Sequence, residues 1–314
     1  MKNFRFLVSY DGTKYDGWQR QGNTDRTIQG KIEAVLHRLF DVSVETHGSG
    51  RTDGGVHARG QVANFWVEES VVEKALAKLS RPKEVRRSAR ENDKGNDRGK
   101  DRRTVEDRNA ADTWQCAQIQ SYLNEYLPED ICVRELTVVP ERFHSRLSAV
   151  GKTYCYRIHT SSLKPVFDRK YVWWMPETLD VDAMREAAGL LVGTHDFMSF
   201  CGNPKMKKST VRTVDELEIL EDDQGLTIRV HGDGFLQNMV RILTGTLVEV
   251  GRGNIVPQAI PEILAARKRA EAGWKMLLRC RHLVADSEMG ILERSMLGVG
   301  FAGGSVVKNP PANA

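Results

Sequence analysis

The stretch Gly48-Ser49-Gly50-Arg51-Thr52-Asp53-Gly54-Gly55-Val56-His57-Ala58-Arg59-Gly60-Gln61-Val62-Ala63-Asn64-Phe65 brings a guanidinium, a carboxylate and an imidazole into one glycine-rich turn. Glycines beside Asp53 free the backbone to take positive φ and to approach a ligand, and the apolar residues Val62 and Phe65 return the chain to a strand. A carboxylate held at such a loop tip can act as nucleophile, general acid or general base. Taken alone, Asp53-Gly54-Gly55 reads first as a plain hairpin turn, which its composition favours. His57, His144 and His195 are further acid–base candidates, with Asp196 beside the last of them. The spacings H-x-x-x-H and H-x-H are absent and no Cys-His cluster occurs, so packing or phosphate contact is the expected role of these histidines, and no metal site is expected.

The string around Asp53 resembles the G-R-T-D-x-G-V-H signature of the TruA-type tRNA pseudouridine synthase family. Further matches lie along the chain. Tyr10-Asp11-Gly12-Thr13 and Tyr15-Asp16-Gly17-Trp18-Gln19-Arg20-Gln21 resemble the family's opening Y-D-G-x-x-Y-x-G-W-Q-x-Q. Phe143-His144-Ser145-Arg146-Leu147-Ser148-Ala149, followed by Lys152, Tyr154 and Tyr156, is similar to F-x-A-R-x-S-A-x-x-K/R-x-Y-x-Y. Gly193, Asp196, Phe197, Ser199, Phe200, Arg212-Thr213-Val214 and Gly234-Phe235-Leu236-Gln237-Asn238-Met239-Val240-Arg241 with Gly245 continue the match to residue 273.

The resemblance implies an isomerase that converts uridine to pseudouridine in the anticodon stem-loop of tRNA, at tRNA positions 38–40, working as a homodimer without a cofactor. Asp53 is then the nucleophile, and Arg241 its ion-pair partner. Arg241 lies between Val240 and Ile242 in an apolar run, where an unpaired arginine would be costly. By the same resemblance Tyr154 stacks on the target uracil and helps remove the C5 proton. Arg51 takes the space of the extruded nucleotide, and Phe143, Arg146 and Lys152 contribute to substrate binding. Asp53 is expected to be ionised in a water-poor cleft, with the arginine offsetting the cost of burial. Asp11 and Asp16 read as turn-capping residues in a loop near the RNA.

The elements that must position these residues follow from hydrophobic periodicity. Strands are predicted at 3–10, 42–48, 61–67 and 131–139, with helices at 27–40 and 115–126. A second half repeats the pattern with strands near 150–159, 171–175, 214–221 and 226–231 and helices at 181–191 and 235–250. The predicted class is α+β, and the β-α-β-β pattern predicts two ferredoxin-like (RRM-like) units. The resemblance joins them into one mostly antiparallel sheet with a central cleft: an N-terminal domain over 1–140, a C-terminal domain over 141–273 and an atypical tail over 274–314.

The net charge of +4 resides in residues 81–109, where eleven Lys or Arg meet seven Asp or Glu, so bulk charge says little about RNA. Any electrostatic footprint must be local, and Arg142, Arg146, Lys152, Arg157, Lys205, Lys207, Lys208 and Arg212 are the candidates. The segment 81–113 reads as a charged, disordered insertion with almost nothing to bury. Five cysteines, Cys116, Cys132, Cys155, Cys201 and Cys280, form no C-x-x-C pair, and no run of eighteen apolar residues occurs, so a soluble cytoplasmic protein without membrane contact is expected. Gly298-Val299-Gly300-Phe301-Ala302-Gly303 fits G-x-G-x-x-G, but too little chain follows it to build a nucleotide-binding unit.

After Gly273 the family's closing T-A-P-x-x-G-L-x-L strand has no match. That departure keeps open a non-catalytic tRNA- or RNA-binding protein on the same scaffold. An aspartate glycosidase is a second alternative, which would need a second carboxylic acid folded in beside Asp53.

Overall fold

The computed structural model describes residues 1–79, 105–203, 205–272 and 283–289, the last seven by backbone alone. Ten strands among these residues form one sheet. In chain order they are β1 (Lys2–Tyr10), β2 (Thr46–Gly48), β3 (His57–Val67), β4 (Ile131–Val139), β5 (Ala149–His159), β6 (Trp173–Trp174), β7 (Gly193–Asp196), β8 (Val211–Asp222), β9 (Gly225–Gly232) and β10 (Leu283–Met289). Their order across the sheet is β4-β1-β3-β10-β5-β9-β8-β7, with β2 beside β3 and β6 beside β5. The pairings of β10 with β3 and of β6 with β5 are parallel, and the others are antiparallel.

Six α-helices among the described residues accompany the strands: α1 (Ile28–Phe40), α2 (Glu69–Leu79), α3 (Val105–Tyr126), α4 (Val181–Leu191), α5 (Met239–Gly251) and α6 (Ile260–Ala266). The Thr27 side chain accepts from Gly30 N–H at 3.2 Å and starts α1, which then buries Ile28, Ile32, Leu36 and Leu39 on one stripe. That stripe joins Phe4, Phe6 and Val8 of β1, Phe65 of β3 and Ile119 and Leu123 of α3 in a first core. Phe4 and Phe65 are register partners whose rings stack 5.2 Å apart. Asp180 caps α4 in the same way through Ala183 N–H at 2.9 Å. Met184, Ala187 and Leu191 of α4 meet Ile242, Leu243 and Leu247 of α5 and the inner residues of β8 and β9 in a second core.

Tyr154 and Val56 are packed across the boundary between the two halves. Tyr154, on the same side of β5 as Tyr156 and Ile158, packs against both cores. Val56, at the end of the Asp53 turn, is only 3 % exposed and is buried in the second core although its loop belongs to the first half. Complete burial of such a side chain contributes about 1.5–3 kcal/mol.

Several elements differ from the sequence expectation. Helices α2 and α6 and the short strand β7 are not predicted by the sequence periodicity. Helix α3 starts ten residues before the expected Gln115, inside the segment read as an insertion; its first turns are polar and largely exposed, so apolar periodicity cannot announce them. The rest of that segment, 81–104, lies outside the described residues. The second-half helix expected from Phe235 begins instead at Met239, because Asn238 takes the left-handed conformation with φ 59°. No strand was expected after Gly273, yet β10 runs between β3 and β5, pairing Ala285 with Ala58 on one side and with Tyr154 on the other. Both neighbours offer unpaired backbone groups, which a strand of almost any composition can satisfy.

Candidate active site

The Asp53 turn is built from behind by the N-terminal loop. Trp18 N–H donates to the Thr52 carbonyl at 3.1 Å, and Gly55 N–H donates to the Tyr15 carbonyl at 3.1 Å. The buried Tyr10 hydroxyl shares a 2.9 Å hydrogen bond with the Thr52 hydroxyl and donates to Gln61 Oε1 at 3.2 Å. Gln61 in turn donates to the Gly50 carbonyl at 3.2 Å. Arg26 closes the loop through both oxygens of Asp16, at 3.1 and 3.3 Å. The turn is sealed by Val56 N–H donating to the Asp53 carbonyl at 3.2 Å, with Gly55 at φ 81°, a conformation that favours glycine.

This turn forms one wall of a cavity of about 470 Å³. Arg51, Asp53, Arg146, Lys152, Tyr154 and Arg241 all line it, so six of the seven site residues expected from sequence are brought together from four separate segments. Met206 and the segment Phe235–Val240 complete the lining. Phe143 is not brought there: it is 4 % exposed and packs with Val62 and Val139, while its carbonyl accepts from Asn3. Phe143 therefore anchors the segment that carries Arg146. His57, His144 and His195 also lie outside the lining. His57 Nδ1 sits 3.2 Å from Gly12 N–H and 3.0 Å from Asp11 behind the turn, and His195 Nε2 lies 3.0 Å from the Val192 carbonyl.

Asp53 is exposed at the cleft rim, in contrast to the water-poor enclosure expected for it. Arg241 is 9 % exposed, and its Nη1 donates to Asn238 Oδ1 at 3.0 Å. Among the described residues no ion pair joins Asp53 and Arg241, although both line the same cavity. Asn238, which the sequence reading did not single out, thus orients the arginine from a backbone position that few side chains adopt. Its only signal was its place directly before an apolar run.

Burial pushes the Tyr154 phenol up to about 12, and the negative charge of Asp53 adds to the shift. Tyr154 meets the edge of Phe235 at 5.2 Å between centroids, with the rings 89° apart. Burial lowers the Lys152 ammonium below its ordinary value, and Arg146 and Arg212 lower it further. Among the described lining residues Asp53 is the one carboxylate, and the cations Arg51, Arg146, Lys152 and Arg241 line the same cavity. Such a cleft attracts a polyanion. Among the described residues it has no second lining carboxylate, which the glycosidase alternative requires.

Among the described residues no helix is long and apolar enough to cross a membrane. Residues 7–95 and 187–282 match the family described as tRNA pseudouridine synthase. A protein named tRNA pseudouridine synthase A from Bacillus sp. (strain KSM-64) is 40 % identical over 275 residues, covering 87 % of this chain and 95 % of that relative. The like-named protein of Halalkalibacterium halodurans is 39 % identical over 274 residues, covering 87 % and 88 %. One named tRNA pseudouridine synthase A 1 from Clostridium tetani is 38 % identical over 272 residues, covering 87 % and 94 %. With the family matched over most of its length and the relatives covered almost end to end, the chain belongs to the tRNA pseudouridine synthases, isomerases that act on tRNA.

Proposed function

We propose that this chain isomerises uridine to pseudouridine in the anticodon stem-loop of tRNA, at tRNA positions 38–40, with Asp53 as the nucleophile. The observation that carries this reading is the carboxylate of Asp53 beside Tyr154 in a cleft whose other charged lining residues, among those described, are the cations Arg51, Arg146, Lys152 and Arg241. An Asp53 oxygen attacks a ribosyl or pyrimidine carbon, and the bond between C1′ and N1 breaks. The base turns, C1′ bonds to C5 and the bond to the Asp53 oxygen breaks to free the carboxylate, the C5 proton leaves and N1 takes up a proton. The reaction is redox-neutral, and its atoms balance without a cofactor.

Each side chain has a part in this scheme. Arg51, exposed at the rim, fills the place of the extruded nucleotide with a planar guanidinium. Tyr154 stacks on the base, an interaction worth about 1–3 kcal/mol. Its phenol stays protonated while Asp53 is an anion; formation of the covalent adduct removes that charge and makes the phenol more acidic when the C5 proton must go. Arg241 faces the charge on Asp53 from α5 once RNA closes the cleft. Lys152 and Arg146 hold phosphates, and a bound phosphate offsets both the burial that chiefly lowers Lys152 and the repulsion from Arg146 and Arg212 that adds to it.

The same reading takes the two halves as ferredoxin-like units, the working form as a homodimer and the site of action as the cytoplasm. The rival of a non-catalytic RNA-binding protein rested on an atypical C-terminus. The backbone of β10 beside Tyr154 argues against that rival, since the chain's own tail supplies a strand there.

Incubation of the purified chain with an unmodified tRNA transcript, followed by pseudouridine mapping, tests the proposal. Wild type is expected to convert uridines at positions 38–40. Asp53→Asn is expected to bind the transcript with little change and convert none. Conversion elsewhere would overturn the site, and turnover by Asp53→Asn at a tenth of wild type would overturn the nucleophile.

A further inference from the structure

The connection from β5 to β6 carries three apolar side chains that are exposed among the described residues. Leu163, Val166 and Phe167 are 76, 62 and 93 % exposed within one short loop. Scattered exposed apolar side chains are ordinary on a soluble protein, but three on one protruding loop mark a contact surface. Lys164, Arg169 and Lys170 are interleaved with them and are likewise exposed, against the single acid Asp168.

The loop is held in shape before anything binds it. Trp174 Nε1 donates to the Ser161 carbonyl at 2.9 Å, and Lys164 lies over the Trp174 ring at 5.0 Å. Arg169 donates to the Val166 carbonyl at 2.5 Å, and His159 Nε2 lies 3.1 Å from the Leu163 carbonyl. At its far end Tyr171 donates to Asp11 Oδ2 at 3.0 Å and meets the His57 ring edge-on at 5.0 Å. Asp11 and His57 belong to the bracket behind the Asp53 turn, so the loop is tied to the wall of the catalytic cleft.

We propose that the loop between β5 and β6 is a second tRNA contact, outside the catalytic cleft, in which the exposed Phe167 ring stacks on an unpaired base while Lys170 and Arg169 meet the adjoining phosphates. Two observations select RNA over a second copy of the chain. The loop's charge is complementary to a polyanion, and an isologous contact centred on it would set its cations against one another. A protruding aromatic with cations beside it is the pattern by which proteins grip single-stranded nucleic acid. The preformed loop also reduces the ordering cost of binding. The inference rests on tRNA being the substrate.

The test is the affinity of the full chain for an unmodified tRNA transcript, by fluorescence anisotropy over a range of salt, with oligomeric state followed by sedimentation. Phe167→Ala is expected to weaken binding by about five-fold or more. Phe167→Trp should retain affinity, and Phe167→Leu, which keeps apolar area without a stacking face, should not. The salt slope should be unchanged in Phe167→Ala and reduced by about one phosphate contact in Lys170→Ala. Wild-type affinity in Phe167→Ala, or full rescue by leucine, would overturn the contact. A change in sedimentation that accounts for the whole loss of affinity would assign the loop to contact between copies and overturn it equally. Absence of tRNA binding by wild type would overturn the tRNA assignment itself.

Discussion

Gly17 and Thr52 stand so close that a Cβ at residue 17 would lie 2.7 Å from the Thr52 carbonyl oxygen, and Gly17 itself has φ 106°. Residue 52 directly precedes the proposed nucleophile, so the N-terminal glycine sets how far the Asp53 turn can sit back against Trp18. Gly17→Ala is expected to cost about 1–3 kcal/mol of stability from backbone strain. A displaced Asp53 should lower conversion on the order of a hundred-fold, well beyond any loss of tRNA affinity. Thermal denaturation and single-turnover conversion at saturating tRNA check this; equal losses in binding and rate would reject the bracket.

Tyr154 separates stacking from proton transfer. Tyr154→Phe keeps the ring and removes the hydroxyl, so tRNA affinity should hold while conversion falls about 10²–10⁴-fold. Tyr154→Ala should lose affinity as well, by about five-fold or more. Full turnover in Tyr154→Phe would remove the hydroxyl from the mechanism.

Lys152 is lowered below its ordinary value of 10.5 by burial and by Arg146 and Arg212. For a base lowered in the folded state the charged form is disfavoured by the fold. The destabilisation is therefore complete below the folded-state value and is relieved as pH rises toward 10.5. Lys152→Met should raise the melting temperature at neutral pH, on the order of 2 °C, while weakening tRNA binding. Affinity in wild type should begin to fall at a pH below 10.5 as the ammonium discharges. Lys152→Arg should remove that early fall, since a guanidinium stays charged. An alkaline profile identical in wild type and Lys152→Arg would show that Lys152 does not carry the phosphate contact.

Strand β10 is bounded on both sides, by β3 and by β5. Proline at any interior position removes a ladder hydrogen bond that neither neighbour can replace. Ala285→Pro is expected to cost about 3 kcal/mol or more and to uncouple the two halves. Unfolding followed by differential scanning calorimetry should then broaden or split into two transitions. An unchanged single transition would mean that the sheet is joined without β10.

Much of the site was legible because it is local chemistry. Arg51 and Asp53 lie two residues apart in a turn whose glycines announce it, and Lys152 and Tyr154 alternate on one strand face. The helical stripes of α1 and α4 are read correctly from period, since their apolar residues pay for burial against a sheet wherever the sheet lies. What the sequence alone determined was which residues belong together chemically and to which family the chain belongs. What only the tertiary structure decided was where long-range contacts put them. Phe143 resembles a binding residue in sequence yet closes a small core with Val62 and Val139. Asn238 acquires its role only because α5 starts one turn late and leaves its side chain facing Arg241. The residues of β10 carry no strand signal of their own; two open sheet edges on either side recruit them, and backbone hydrogen bonding, unlike a periodic pattern of side chains, leaves no trace in the sequence.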